Sequence, residues 1–373
     1  MTPTIHRPSA VALVLATFAS LAGCSSGSDA ESTTTTASPT TTTASPTTTS
    51  TTVPRSTTTT STSTSTSTTT TTTLPVVLRM PLTGDPVSST ADIPARAALV
   101  VKIDNHPTAR PQAGMNNADI VFEEIVEGQL TRFAAVFHSG DSDPVGPIRS
   151  GRSQDVDMLG PLNSPAFAWS GGNAGVRNLI RNSDFINLDA GFTPGYYRRS
   201  GRGGAPHNLY SSTAALWANV PAESMDPPPG IFAYLRPENS FSGEAATTID
   251  VPMAGVRVRW EWDADDGVYR RFQNGNSHDT EDAGQVVADN LVVMGVEYHP
   301  SAVDRRSPEA QTLGSGPVYV FSGGVLRIGV WIHLDRLDPY GLVAADDSII
   351  DLPPGRTWIE LAEDAENFVT WES

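Results

Sequence analysis

The 373-residue chain contains one cysteine, Cys24, and one lysine, Lys102. A single thiol excludes any intramolecular disulfide and any thiolate metal cluster. Packing and polar pairing must therefore hold the fold together. Positive charge is scarce: 24 Lys and Arg residues stand against 41 Asp and Glu, a net charge of −17. Such a balance excludes general nucleic-acid binding, which needs a basic footprint. An anionic ligand would have to be drawn by a local cluster against the overall field. The scarcity of lysine reads as a compositional preference for arginine, and nothing near Lys102 in the sequence marks it as special. No His-x-x-His or Glu-helix-His spacing occurs, which argues against zinc. There is no Gly-x-Ser-x-Gly elbow and no usable catalytic thiol, so hydrolase and cysteine-nucleophile readings have no motif.

What is present begins with an address. His6 and Arg7 precede an apolar run from Ala10 to Ala22, which ends in "LAGC", Leu21 to Cys24. Small residues before a cysteine suit a lipoprotein signal peptidase, and Cys24 is placed to accept a diacylglyceryl group. Residues 1–24 are thus expected to be a lipoprotein signal peptide with Cys24 in its lipobox. Two acyl chains satisfy the two-signal rule for lasting membrane attachment. Residues 25–75 are almost wholly Thr, Ser, Ala and Pro between Ser32 and Thr73. Such a tract has nothing to bury, and we expect a disordered stalk, either glycosylated or a plain spacer. Its roughly 40 residues would reach on the order of 130 Å fully extended. Arg7 and Arg55 offset Asp29 and Glu31, so the remaining region carries the whole net charge of −17.

That region divides near "VPAESMDPPPG", Val220 to Gly230, where consecutive prolines stop any helix. Residues 76–225 alternate strand and helix patterns: "AALVVKID", then "DIVFEEIVEG" and "LTRFAAVFH" joined at Gly128, then "PAFAWSGG". "NAGVRNLIRN" follows at helical spacing with Asn173 as cap, and "SSTAALWANV" with Ser211 or Ser212. Residues 226–373 are β-rich. "VRVRWEW" and "VYRRFQ" alternate strictly about "DADDG", an Asp/Gly turn whose spacing misses an EF-hand. The fold class expected is an α/β N-terminal domain plus a mainly antiparallel β C-terminal domain, after the stalk.

The polar motifs concentrate in the first of these domains. "VGPIRSGR", Val145 to Arg152, places Arg149 and Arg152 beside a Gly-Pro turn, and Arg132 lies on a strand. Guanidinium forks match phosphate or carboxylate. They could equally pair internally with Glu123, Glu124 or Glu127. "WSGGNAG" brings glycines to a helix start behind Trp169, which could stack on a sugar or lie in the core. "RRSGRGG" holds Arg198, Arg199 and Arg202 without nearby acid, and leads into "APHNLY" with His207 and Asn208 as candidate ligand contacts. Asp104 ends the first buried strand, where α/β ligands commonly bind. Asp104 and Glu123 are the candidates for base or metal ligand. No cofactor is identified, though a single-carboxylate magnesium site stays open.

Several of these strings occur together and in one order: "VKIDNHPTARPQAG", "ADIVFEEIVEG", "TRF", "VGPIRSGR" and "APHNLY", then "NGNSHD", "GSGPVYVFSGG" and Trp331. In this the chain resembles the YerB-like lipoproteins, a bacterial family with a domain of unknown function and a distinct C-terminal part. The resemblance spans nearly all of Pro81 to Glu372 and implies an envelope location with lipidation, but no activity. The family tends to show two glycines where this chain has Gly128-Gln129. The order of elements is also similar to that of LytR-type phosphotransferases, which bind polyprenyl pyrophosphate with arginines and a metal-held carboxylate. Their Arg-Ser-Asp and Pro-Arg-Asp signatures are absent here. The expectation is a lipid-anchored extracytoplasmic protein that binds an anionic envelope glycan or lipid-linked phosphate through arginines. The alternatives are an enzyme on cell-wall polymer, phosphotransferase-like or hydrolytic, and a structural or protein-partner module with internally paired arginines.

Overall fold

In a computed structural model, the described residues are 76–199 and 201–373, with the backbone of a two-residue strand Ile5–His6. The lipobox Cys24, most of the signal-peptide segment and the Thr-rich tract lie outside the described residues.

The apolar runs of both halves meet in a single mixed sheet. Its first-half strands are β1 (Leu99–Asp104), β2 (Ile120–Val126), β3 (Leu130–Phe137), β4 (Ala166–Trp169) and β5 (Ile186–Asp189). The second half contributes β9 (Asn290–Val296), β10 (Gly314–Ser322), β11 (Val325–His333), β12 (Gly341–Ala344) and β13 (Thr357–Glu363). The order is β12-β11-β10-β9-β13-β2-β3-β1-β4-β5, with the short strand Glu244–Ala245 added to β11. The two sequence halves are joined where β13 pairs parallel with β2, Thr357 opposite Ile120 and Glu360 opposite Glu123. β1 also runs parallel to β4, so both present their carboxyl ends on one edge.

A smaller antiparallel sheet is built on β6 (Thr248–Met253), β7 (Val256–Asp263), β8 (Val268–Gln273) and β14 (Thr370–Glu372). It covers one face of the large sheet. Ile103, Phe133 and Trp358 pack there against Val258, Trp260 and Tyr269. On the opposite face Val100, Phe122 and Phe167 meet Met158 of α1 (Asp155–Met158) and Ile180 of α2 (Ala174–Arg181). The result is α/β in the first half and mainly antiparallel β in the second, as the hydrophobic periodicities require.

Local signals act where expected. The Asn173 side chain accepts from Val176 N at 2.8 Å and caps α2. Ser212 accepts from Ala215 N at 3.2 Å and caps α3 (Thr213–Trp217). The β2–β3 hairpin turns through Gly128 at φ 76° and Gln129 at φ 61°, so Gln129 holds a left-handed conformation that a second glycine would adopt freely. Gly323 and Gly324, at φ 60° and 75°, close the β10–β11 hairpin.

The junction between sheets contains a buried charge. Arg271 of β8 is fully buried and donates from Nη2 to Glu123 Oε2 at 2.6 Å and from Nη1 to Gln273 Oε1 at 2.8 Å. Its guanidinium lies 5.2 Å from the Trp358 ring and 5.6 Å from that of Phe133. Glu360 sits beside it, with Nε to Oε1 at 3.9 Å, and accepts from Trp260 Nε1 at 3.0 Å. Burial, and then the adjacent Glu123 carboxylate, push the Glu360 carboxyl well above its usual range. One arginine thus faces two carboxyl groups, and neutralising one of them avoids a second uncompensated charge. Removing the arginine should strand Glu123. Arg271→Met is expected to lower unfolding free energy by about 3–5 kcal/mol in urea titrations; a loss below about 1 kcal/mol would show that the pair does not hold the sheets together.

Candidate functional site

At the carboxyl end of β1 the chain turns sharply, and the segment Val145–Arg152 crosses over it. Asp104 N donates to Pro147 O at 2.9 Å, Arg149 N to Lys102 O at 2.9 Å, and Ile148 N to Leu209 O at 2.6 Å. Ser170 N, just past β4, donates to Arg149 O at 2.9 Å. This backbone lattice brings three distant motifs to one carboxylate.

That carboxylate is Asp104, itself 1 % exposed. His207 Nδ1 lies 2.6 Å from Oδ2, Arg149 Nε 3.4 Å from Oδ2, and Arg132 Nη2 3.7 Å from Oδ1. His106 N donates to Oδ1 at 3.1 Å. Burial pushes the Asp104 carboxyl up, but Arg132, the His207 hydrogen bond, the His106 N–H and Arg149 outweigh it and hold it below the usual range. The His106 ring stacks on that of His207 with centroids 4.3 Å apart. Burial, then the neighbouring His207, lowers the pKa of His106.

The arginines differ in their surroundings. Arg132 is buried, and its Nε and Nη1 have no hydrogen-bond partner among the described residues. Burial, and then the nearby Arg152, bring its pKa down to about 10. Arg149 keeps a quarter of its side chain exposed, 25 %, and donates from Nη1 to Ser150 Oγ at 3.1 Å. Arg152 turns to Glu127, Nη2 to Oε2 at 2.5 Å, and to Gly151 O at 2.9 Å. So Arg152 takes the internal pairing open to it in the sequence, whereas Arg132 and Arg149 gather at Asp104.

Other candidates fall elsewhere. Glu123 is fully buried on the opposite face of the sheet, accepting from Arg271 and from Thr131 Oγ1 at 2.6 Å. Trp169 is fully enclosed, with Nε1 donating to Asn187 Oδ1 at 2.8 Å, so no face remains for a sugar. Asn208 is a clip for its own loop, accepting from Arg198 Nη1 at 3.0 Å and donating to Arg199 O at 3.3 Å. The basic loop is not uncompensated: Glu281 pairs with Arg199 and, at 2.9 Å, with Arg202. Glycines at 171 and 172, with φ 92° and 144°, do adjoin the cluster; a Cβ at Gly171 would lie 3.1 Å from Ser150 Oγ.

Lys102 corrects the compositional reading. It is fully buried, with Nζ 2.5 Å from Glu124 Oε1 and 2.7 Å from Asp155 Oδ1. Asp155 Oδ2 in turn accepts from Arg152 N at 2.6 Å, so this triad anchors the crossing segment. Its signal was a lysine inside an unbroken apolar strand, which cannot stay unpaired.

A magnesium ion fits poorly at Asp104. Every group facing its oxygens is a guanidinium, an imidazole or an N–H, so a cation would meet repulsion where an anion meets donors. Among the described residues no group of three or more His, Cys, Asp or Glu could hold a metal.

Fold and site together define a mixed-sheet protein of two sequence-contiguous parts, with a carboxylate–imidazole–guanidinium cluster at the strand ends. Two family models match it in tandem: "Protein of unknown function (DUF3048) N-terminal domain" over residues 82–226, and the corresponding C-terminal domain over 249–359. The chain belongs to this family. It is 28% identical over 303 residues to YerB of Bacillus subtilis, a protein assigned to the lipoproteins, covering 78% of this chain and 87% of that one. The crystal structure of the Bacillus subtilis YerB protein superposes with a TM-score of 0.67 at 23% identity, covering 78% of this chain and 99% of that chain. That likeness carries the fold.

The depressed ionisation of Asp104 has a sign that can be tested. Its contribution is full above the ordinary carboxyl value of 3.8 and disappears as pH falls through the lower folded value. Asp104→Asn should therefore be about 2 kcal/mol less stable than wild type near neutrality. The gap should close as pH drops below about 4. Urea unfolding at a series of pH values measures this; a gap that does not change with pH would mean that the charge of Asp104 is not what the cluster uses.

Proposed function

We propose that this protein is a lipid-anchored, extracytoplasmic binding protein for a phosphate-bearing envelope glycan or lipid-linked phosphate, held at Arg132 and Arg149 beside His207. The observation that carries the reading is Arg132: a buried guanidinium whose Nε and Nη1 have no hydrogen-bond partner among the described residues, and whose ion-pair contact to Asp104 is long at 3.7 Å. Buried donors without partners are rare in folded proteins and are relieved by water or a ligand. Two guanidiniums and an imidazole share one carboxylate, so the cluster attracts anions inside a chain of net charge −17. Phosphate suits this better than a carboxylate ligand, because it offers oxygens to both guanidinium forks at once.

The lipobox at Cys24 and the lipoprotein assignment of YerB support the anchor, and the Thr-rich tract would carry the domain away from the membrane. Arg152 is left out of the clamp because its guanidinium is already paired with the Glu127 carboxylate.

Calorimetric titration with a phosphate-bearing wall polymer tests the proposal. Binding should weaken with salt. Arg149→Ala should cost tenfold or more in affinity, about 1.4 kcal/mol. Arg149 is partly exposed and off the sheet, so this variant should fold. Equal affinity in wild type and Arg149→Ala would remove the proposal.

A further inference from the structure

A site that only held an anion would present donors throughout, and one group here does not. His207 Nδ1 is committed to Asp104 at 2.6 Å, which keeps the proton of the neutral ring on Nδ1. Nε2 then carries a lone pair. It makes no hydrogen bond among the described residues, and the side chain keeps 20 % of its surface exposed. The ring cannot easily turn away: the Asp104 hydrogen bond holds one edge and the His106 ring, 4.3 Å from it, covers a face. His106 Nδ1 in turn accepts from Thr108 N at 3.2 Å, fixing the covering ring as well. An oriented proton acceptor therefore lies beside Arg149 and Arg132, the two cations best placed to hold phosphate.

We infer that the cluster is catalytic as well as binding, and that it hydrolyses phosphodiesters with His207 as the proton carrier. This rests on the proposed anion site. With the phosphoryl oxygens on Arg149 and Arg132, a water between Nε2 and phosphorus attacks. Its oxygen forms the new P–O bond while one of its protons passes to Nε2. The bond from phosphorus to the leaving oxygen breaks, and its electron pair stays on that oxygen. The leaving oxygen takes up a proton from solvent, and Nε2–H gives its own back to solvent. One water is consumed, and a diester becomes a monoester and an alcohol. Asp104 does not receive the proton; its carboxylate stabilises the imidazolium that forms between the two transfers. The arginines meet the charge that grows on the phosphoryl oxygens. Such a site needs no serine elbow and no thiol, in keeping with a sequence that has neither.

The test uses the full chain with bis(p-nitrophenyl) phosphate as substrate and inorganic pyrophosphate as a non-chromogenic binding probe. Wild type should release nitrophenolate at a rate that rises with pH through a single ionisation. His207→Gln has an amide of similar reach that cannot carry a proton. It should lose about 100-fold or more in kcat, and its residual rate should lose the pH step. Asp104→Asn should lower kcat while leaving a pH step, displaced from that of wild type, because the carrier is still present. If pyrophosphate binds and no ester is cleaved, catalysis is overturned and the binding reading stands. If wild type and His207→Gln turn over alike, His207 is not the carrier and the inference fails. If neither binding nor cleavage occurs, both readings fall together.

Discussion

Two consecutive glutamates in the middle of a buried strand set the terms for the rest of this structure. Glu123 and Glu124 are both fully buried in β2. Strand alternation sends them to opposite faces, so each face must supply its own buried cation. On one side the smaller sheet brings Arg271 of β8 to Glu123; on the other β1 brings Lys102 to Glu124. A slip of one residue would exchange the two carboxylates and leave both cations misplaced. The pairs therefore specify register and sheet docking more than they add stability, since buried ion pairs are often no better than apolar packing of equal volume.

From that constraint the site follows geometrically. Arg132 of β3 stands in register between Asp104 of β1 and Glu124 of β2. It shares their face of the sheet, and so does Lys102. Asp155, which completes the lysine's pairing, also receives the Arg152 N–H and so fixes the segment that carries Arg149. The buried triad is thus the foundation of the exposed cluster. The buried lysine–carboxylate contacts below hold in place charges that are less completely paired above.

How much of this was legible in the sequence depended on the range of the cause. Caps at Asn173 and Ser212, the Gly323-Gly324 turn and the β7–β8 hairpin are local, and residue type alone marks them. Asp104, Arg132, Arg149 and His207 were marked as chemistry-bearing, but their convergence comes from a crossing segment whose hydrogen bonds span distant parts of the chain. Lys102 was passed over because composition offered a sufficient reason for a lone lysine; its apolar neighbours were the better guide. Arg271 was hidden by its strand. In "VYRRFQ" alternation buries Arg271 and turns Phe272 to the more exposed side, the reverse of the usual hydrophobic sense. Only the partner glutamate, on the other sheet, makes that inversion sensible. The merging of both halves into one sheet was likewise out of reach, because the β2–β13 pairing joins residues more than two hundred positions apart and leaves no periodic trace.

The placement of the open groups says where a ligand would enter. β1 and β4 run parallel, so the turn after Asp104 and the glycines after Trp169 emerge on the same edge, the position where α/β sheets commonly receive ligands. The sheet beneath supplies the rigid members, Asp104 and Arg132, both nearly sealed from solvent. Loops supply the accessible ones, Arg149 and His207, each about a fifth to a quarter exposed. An anion arriving from solvent meets the loop residues first and reaches the buried guanidinium only by displacing whatever water serves it. The acidic surface repels that approach at long range. Selectivity at such a site would come from ligands able to satisfy both guanidiniums at once, because a weakly coordinating anion recovers too little on arrival to offset that repulsion.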